Sequence, residues 1–286
     1  MKTSLNCFPC FIHQTLNALE MLGADAAVRQ RVLREILRRS SEMDLVNPPP
    51  AMGKVIHDLI QRECKAPDPY REAKERFNRL ALALYSDLAK KVKNSPQPLD
   101  MAVRLAIAGN IIDFGIHTRL QMSQVHQSIS DALEAPLEPT AFRLFSQAVE
   151  EADQILYLGD NAGEIVFDRI LIEILPHEKI TFAVKGGPII NDALKEDAEF
   201  AGLSDLVPII DNGANVPGTI LELCSAEFVR KFQQADLVIA KGQGNFESLN
   251  DAPKKIFFLL KAKCPVVAEH IGCKINSMLL LPHLSW

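Results

Sequence analysis

The chain has little of what marks a secreted, membrane-bound or nucleic-acid-binding protein. Six cysteines in 286 residues are too sparse for a disulfide framework, and only Cys7 and Cys10 are close together. That usage is expected of a cytoplasmic protein with reduced thiols. No apolar run approaches the roughly 20 residues of a membrane-spanning helix, and the opening MKTSLNCFPCF has no signal-peptide pattern. With one Trp and three Tyr there is no aromatic platform for bases. Basic charge is scarce where it would matter most. Residues 1–150 carry 19 basic and 17 acidic side chains, whereas residues 151–286 carry 12 and 19. An excess of seven acids argues against nucleic acid as a partner. It still permits a small phosphate, provided that a metal ion supplies the positive charge.

Several catalytic signatures are also missing. KGQGN lacks the Gly-Lys-Ser/Thr ending of a Walker A loop, and no GxGxxG follows the first strand expected below. An NAD-type oxidoreductase is therefore disfavoured. No Ser-His-Asp spacing stands out. Cys7 and Cys10 have metal-ligand spacing, and His13 follows, but no second pair completes a tetrahedral zinc site.

What is present divides the chain in two. Up to residue 152 the apolar periodicity is helical, as in PCFIHQTLNALEML, where Phe11, Ile12, Leu16, Leu19 and Leu22 share a face and Gly23 follows as a stop. Further helices are expected in 26–40 and near 51–63, 70–93, 98–115 and 139–152, with Pro48-Pro49-Pro50 as an interruption. From residue 153 the pattern changes to short apolar runs: QILYLG, KITFAVKG, LVPIID, DLVIAKG and CPVVAEH. Amphipathic segments alternate with them, including IINDALKEDAEFAG, TILELCSAEFVRKFQQ and SLNDAPKKIFFLLKA. The expectation is a helical domain, 1–152, followed by a Rossmann-like α/β/α sandwich with a mostly parallel sheet, 153–286.

Parallel α/β sheets bind ligands outside the carboxyl ends of their strands. Those ends carry Gly159-Asp160-Asn161-Ala162-Gly163-Glu164, then Lys185-Gly186-Gly187 with Asn191-Asp192, then Asp211-Asn212-Gly213, then Lys241-Gly242-Gln243-Gly244-Asn245. Asp160 and Asn161 offer the hard oxygens that magnesium and manganese prefer, and Asp192 supplies a third. The same residue types also build ordinary turns. Lys241, at a strand end before two glycines, is placed to contact an oxyanion, and Lys185 has a similar setting. On an apolar helix, Asn110 and Asp113 are three apart and share a face, either as a packing pair or facing the cleft.

With these motifs in view the chain resembles the metal-dependent damage-control phosphatases, the family of domain of unknown function 89. The resemblance spans nearly the whole chain: CFPC, Asp68-Pro69-Tyr70 with Lys74 and Asn78, AGNIIDFG, GDNAGE, the stretch from Lys185 to Asp192, and KGQGNFE. The cysteine pair resembles the archaeal and bacterial branch. No residue is carried over in CKINSMLLLPHLSW, where the pattern departs. The resemblance implies hydrolysis of small phosphoesters, among them sugar phosphates and damaged phosphometabolites, with Mn²⁺, Mg²⁺, Co²⁺ or Ni²⁺. It puts the metal ligands on Asp160, Asn161 and Asp192 and the phosphate-binding lysine on Lys241, and Asn110 and Asp113 match its Gly-Asn-x-x-Asp element. We expect Asp160, Asp192 and Lys241 to be catalytic, and Asn110, Asp113, Glu164, Lys241 and Asn245 to meet the substrate. Direct water attack and a covalent aspartyl intermediate both stay open, as does a rival class, a sensor that binds a sugar phosphate or nucleotide without hydrolysing it.

Overall fold

A computed structural model describes residues 1–111 and 122–284, with the side chains at 110, 111, 122–124, 126, 128 and 284 outside that description. Among the described residues seven α-helices come first: α1 (Phe8–Met21), α2 (Ala26–Glu42), α3 (Pro49–Cys64), α4 (Arg71–Lys93), α5 (Pro98–Ile111), α6 (Met122–Glu134) and α7 (Pro139–Glu151). The expected stop after α1 is real, since Gly23 takes φ +59°. The proline run opens a helix instead of merely interrupting one. Pro49 is the first residue of α3, where a missing N–H costs nothing.

Strand and helix then alternate: β1 (Ile155–Leu158), α8 (Glu164–Ile172), β2 (Ile180–Val184), α9 (Lys195–Phe200), β3 (Ile209–Asp211), α10 (Ala226–Gln234), β4 (Leu237–Lys241), α11 (Gly242–Leu249), β5 (Lys255–Lys261), α12 (Pro265–Ile271) and β6 (Met278–Leu284). They form one six-stranded sheet in the order β3-β2-β1-β4-β5-β6. The first five strands are parallel, and β6 joins β5 antiparallel. The expected fold class is the one observed.

Each strand is apolar on both faces because each face meets helices. Ile155, Tyr157, Phe182, Ile239 and Phe257 point into a core shared with α4, α5, α7 and α8. Their alternates Leu156, Leu158, Val238, Ala240 and Phe258 point into a second core with α10, α11 and α12. Helices that precede residue 153 thus share a core with the sheet. Only α1 to α3 centre on a cluster of their own, around Leu19, Ile36, Ile56 and Ile60.

Two expected elements exchange roles. KKIFFLLKA is strand β5, where an apolar run flanked by neighbours on both sides is buried throughout. CPVVAEH is helix α12: Cys264 Sγ accepts from the Val267 amide, Pro265 opens the first turn, and Gly272 closes it at φ +79°. Short apolar runs do not distinguish strand from buried helix by period alone. Strand β6 and helix α6 are additional to the expected set.

The sheet centre sets a stability test. Phe257 is fully buried and meets the Phe145 ring edge-on at 5.4 Å between centroids. Phe257→Ala should lower unfolding free energy by about 3–5 kcal/mol in urea titration; a loss below about 1 kcal/mol would contradict this packing.

Candidate active site

The strand order reverses between β1 and β4, and the turns after these two strands meet at that point. Gly242 lies at φ +78°, and a Cβ there would fall 1.9 Å from Asp160 Oδ2, so only glycine lets the start of α11 approach the Asp160 carboxylate. Asp160 is buried beside the first residue of α11.

A second contact fixes the turn from the other side. The Ala162 amide donates to Asn191 O at 2.9 Å and the Ala193 amide to Asp160 O at 2.8 Å, forming an isolated antiparallel bridge between Asn161 and Asp192. Asp160, Asn161 and Asp192 are therefore brought together by backbone, although Asp192 comes 32 residues after Asp160 and 31 after Asn161. From above, α4 holds the same turn: Asn78 Oδ1 accepts the Gly163 amide at 2.6 Å, and Asn78 Nδ2 donates to Asp197 Oδ1 at 2.7 Å. Lys74, buried, pairs with Asp68 at 2.8 Å and Asp197 at 3.6 Å. Those motif residues brace the site without lining it.

Below the turn is a fully buried charge network. Asn161 Nδ2 donates to Asp160 Oδ2 and to Glu164 Oε2, each at 3.0 Å. Glu164 Oε1 in turn accepts from Lys241 Nζ at 2.6 Å. Lys241 also donates to Asp168 Oδ1 at 2.6 Å and to Ala106 O at 2.9 Å, and Tyr157 Oη donates to Asp168 at 2.8 Å. An ammonium has three N–H groups, and here all three are used. Burial alone would lower the Lys241 pKa, but Asp168 and Glu164 outweigh it and hold it above the usual range. Where phosphate contact was expected of Lys241, its three donors are all taken by protein acceptors as placed.

The other strand-end lysine stands nearer the proposed ligands. Lys185 Nζ lies 3.4 Å from Asp192 Oδ2 and donates to Gly218 O. The 3.4 Å contact is an ion pair without an aligned hydrogen bond, and Asp192 Oδ2 has no hydrogen-bond partner. Burial pushes the Asp192 carboxyl up to about 6, with Lys185 opposing. Asp160 is driven well above the carboxylate range by burial, then by Glu164 and Asp192, against Lys185 and Lys263.

Asn245 is fully enclosed. Its amide donates to Lys241 O at 2.8 Å and Gly159 O at 3.4 Å, and its oxygen accepts from Thr219 Oγ1 at 2.7 Å. Expected to meet substrate, it instead ties the ends of β1 and β4 together. Glu164 is likewise committed to Lys241 and Asn161. Asp113 and the side chain of Asn110 lie outside the described residues. Asp168 was not singled out in the sequence, because one acid inside an amphipathic helix carries no local signal. Cys7 is half-buried and Cys10 exposed, both are free thiols, and His13 is exposed. Among the described residues no three His, Cys, Asp or Glu side chains are grouped to hold a metal ion. A cation at the switch point would thus depend on Asn161 for its third protein oxygen.

Comparison with known proteins bears on the family and the fold. The model of the damage-control phosphatase ARMT1-like domain matches residues 3–279. The chain belongs to that family. It is 35% identical to a damage-control phosphatase of Pyrococcus horikoshii over 95% of this chain and 94% of the relative. A damage-control phosphatase of Archaeoglobus fulgidus is 31% identical, covering 97% and 98%. An uncharacterized protein of Methanocaldococcus jannaschii is 36% identical, covering 98% and 95%. The crystal structure of a DUF89 family protein from Pyrococcus horikoshii superposes with TM-score 0.88 at 32% identity, covering 99% of this chain and all of that one.

The buried network makes a prediction about stability. Lys241→Ala strands Glu164 and Asp168, and should cost about 3–5 kcal/mol. Lys241→Met with Asp168→Asn should recover part of that loss in the same thermal unfolding assay. A Lys241→Ala protein as stable as the parent would rule out the three-acceptor arrangement.

Proposed function

We propose that this chain is a phosphatase of small phosphoesters, sugar phosphates or damaged phosphometabolites, with Mn²⁺, Mg²⁺, Co²⁺ or Ni²⁺ held by Asp160, Asn161 and Asp192. The observation that carries the reading is the Asn161–Asp192 bridge at the switch point, which gathers oxygen donors from two separate turns. Family membership and the names of the two archaeal phosphatases support the reaction class.

The residues fit a hard divalent ion. Asp192 Oδ2 is buried without a hydrogen bond, and Asp160 is surrounded by like charge. Four buried carboxylates, Asp160, Glu164, Asp168 and Asp192, face two buried ammonium groups, Lys185 and Lys241. Burial raises the Asp160 and Asp192 carboxyls, and a bound cation would favour their charged forms. When bound, such an ion polarises phosphoryl oxygens and lowers the pKa of a coordinated water.

The chain's own residues divide the remaining work. Asp160 and Glu164 share the Asn161 amide nitrogen, which fixes the amide and leaves its oxygen for ligation. Lys241 fixes Glu164 from below and is a positioning residue. Lys185 tempers the charge on Asp192. Asp160 and Asp192 are the carboxylates able to orient an attacking water or take its proton. The glycines and first turn of α11 present the start of a helix toward the same edge, which favours an anionic substrate.

The test uses p-nitrophenyl phosphate and titration calorimetry with Mn²⁺. The parent should bind the ion and release phosphate only when it is present. Asp192→Ala should lose both, with turnover down by roughly a hundredfold or more, since such an ion contributes several kcal/mol. Undiminished turnover after chelation, at nil measured metal, overturns the metal mechanism. Tight binding of sugar phosphates without any phosphate release overturns the hydrolase reading in favour of a sensor.

A further inference from the structure

Among the described residues three that are not glycine have positive φ: Lys65, Ile190 and Asn276. Asparagine tolerates that region, and Lys65 ends helix α3. Ile190, at φ +43°, is the β-branched one, and a β-branched side chain is the least suited to that backbone. Such strain persists only where the surroundings over-determine it, and it concentrates at functional sites.

Ile190 lies two residues before Asp192, and both sides of this short segment are tied down. On one side its side chain packs against the α1–α3 core, which includes Met52, Ile56 and Tyr70. Gln61 of α3 reinforces that side by donating to Pro188 O at 3.1 Å. On the other side Asn191 O and the Ala193 amide bond to the turn after β1, and the Asp192 amide closes back on Ile189 O at 3.1 Å. Ile189 is buried as well.

We infer that Ile190 is a positioning residue for the site: its apolar anchorage in the α1–α3 core holds the backbone in the left-handed region and so sets the Asp192 carboxylate beside Asn161. The three N-terminal helices, which contribute none of the proposed ligands, thereby determine where one ligand stands. This rests on the reading of Asp192 as a metal ligand, and it names the part of the fold that aims it. A side chain that keeps the apolar anchor should preserve the geometry. One that relaxes the backbone and removes the anchor should let the segment drift, even though the strain itself is relieved.

The experiment compares Ile190→Leu, Ile190→Gly and Ile190→Asn with the parent. Glycine and asparagine accept positive φ but lose the anchor; leucine keeps it. Mn²⁺ affinity by calorimetry should be roughly tenfold or more weaker in the glycine and asparagine variants, the range seen when residues that orient ligands are removed. The leucine variant should bind like the parent. Amide hydrogen exchange over residues 186–193 of the metal-free protein should quicken in the first two variants and stay unchanged in the third. Should Ile190→Asn fail to fold, Ile190→Gly together with Gln61→Ala reads the same loosening without a polar group in the core. Parent-like affinity and exchange in the glycine variant overturns the inference, as does a leucine variant weakened as much as glycine. A parent that binds no Mn²⁺ overturns the proposed function instead, and the exchange arm then decides the role of Ile190 by itself.

Discussion

The structure beneath the site depends on one buried ammonium. Lys241 has no exposed surface, and its three N–H groups reach the carbonyl of Ala106 in α5 and the carboxylates of Glu164 and Asp168 in α8. One side chain at the end of β4 thus fastens two helices of the covering layer to the sheet edge. Desolvating a charge is expensive, and such a group persists only when every donor is matched. The consequence runs upward. With one oxygen on Lys241, Glu164 can use the other to hold the Asn161 amide, and that amide also meets Asp160.

Electrostatically the arrangement is lopsided in a useful way. The lysines neutralise only part of the acid, and the surplus falls on the two turns that the backbone bridge draws together. A well-packed apolar interior would be easier to stabilise than this one. Asp192 Oδ2 has no hydrogen bond, and Asp160 is hemmed in by Glu164 and Asp192. Asp168 Oδ2 in the Lys241 network is buried without a hydrogen bond too, but there the other carboxylate oxygen is held by Lys241 and Tyr157. The proposed cation would sit where the Asp160 and Asp192 carboxylates crowd.

The sequence showed the sheet and its chemical edge because both are written in local pattern. Near-continuous apolar strands at intervals of about 30 residues need helices on both faces, and a strand ending in GDNAGE needs its glycines. A backbone bridge draws the Asp160-Asn161 turn and Asp192 together at the strand ends, where this architecture gathers ligands. What stayed hidden is non-local. IFFLL and CPVVA look alike as apolar runs, and only the sheet position of the first and the capped turn of the second separate them. Lys241 and Lys185 both stand at strand ends before glycine. Their difference comes from Asp168 and Ala106, which are 73 and 135 residues from Lys241 in sequence. Asn245 reads as a ligand group until Thr219 and Gly159 are seen to occupy it.

The N-terminal helices follow the same logic at a larger scale. By composition they are an ordinary helical bundle, and their periodicity explains their own core. Their relation to chemistry emerges only where they touch the sheet edge. There Asn78 accepts the Gly163 amide and Gln61 donates to the Pro188 carbonyl, so the two turns carrying the proposed ligands are each held by a different helix. A turn built from Gly, Asp and Asn is intrinsically loose, because such residues have many backbone states to lose. Metal and phosphate geometry tolerate errors of only about half an ångström. Rigid support must therefore come from outside the turns, and in this fold it comes from α3 and α4.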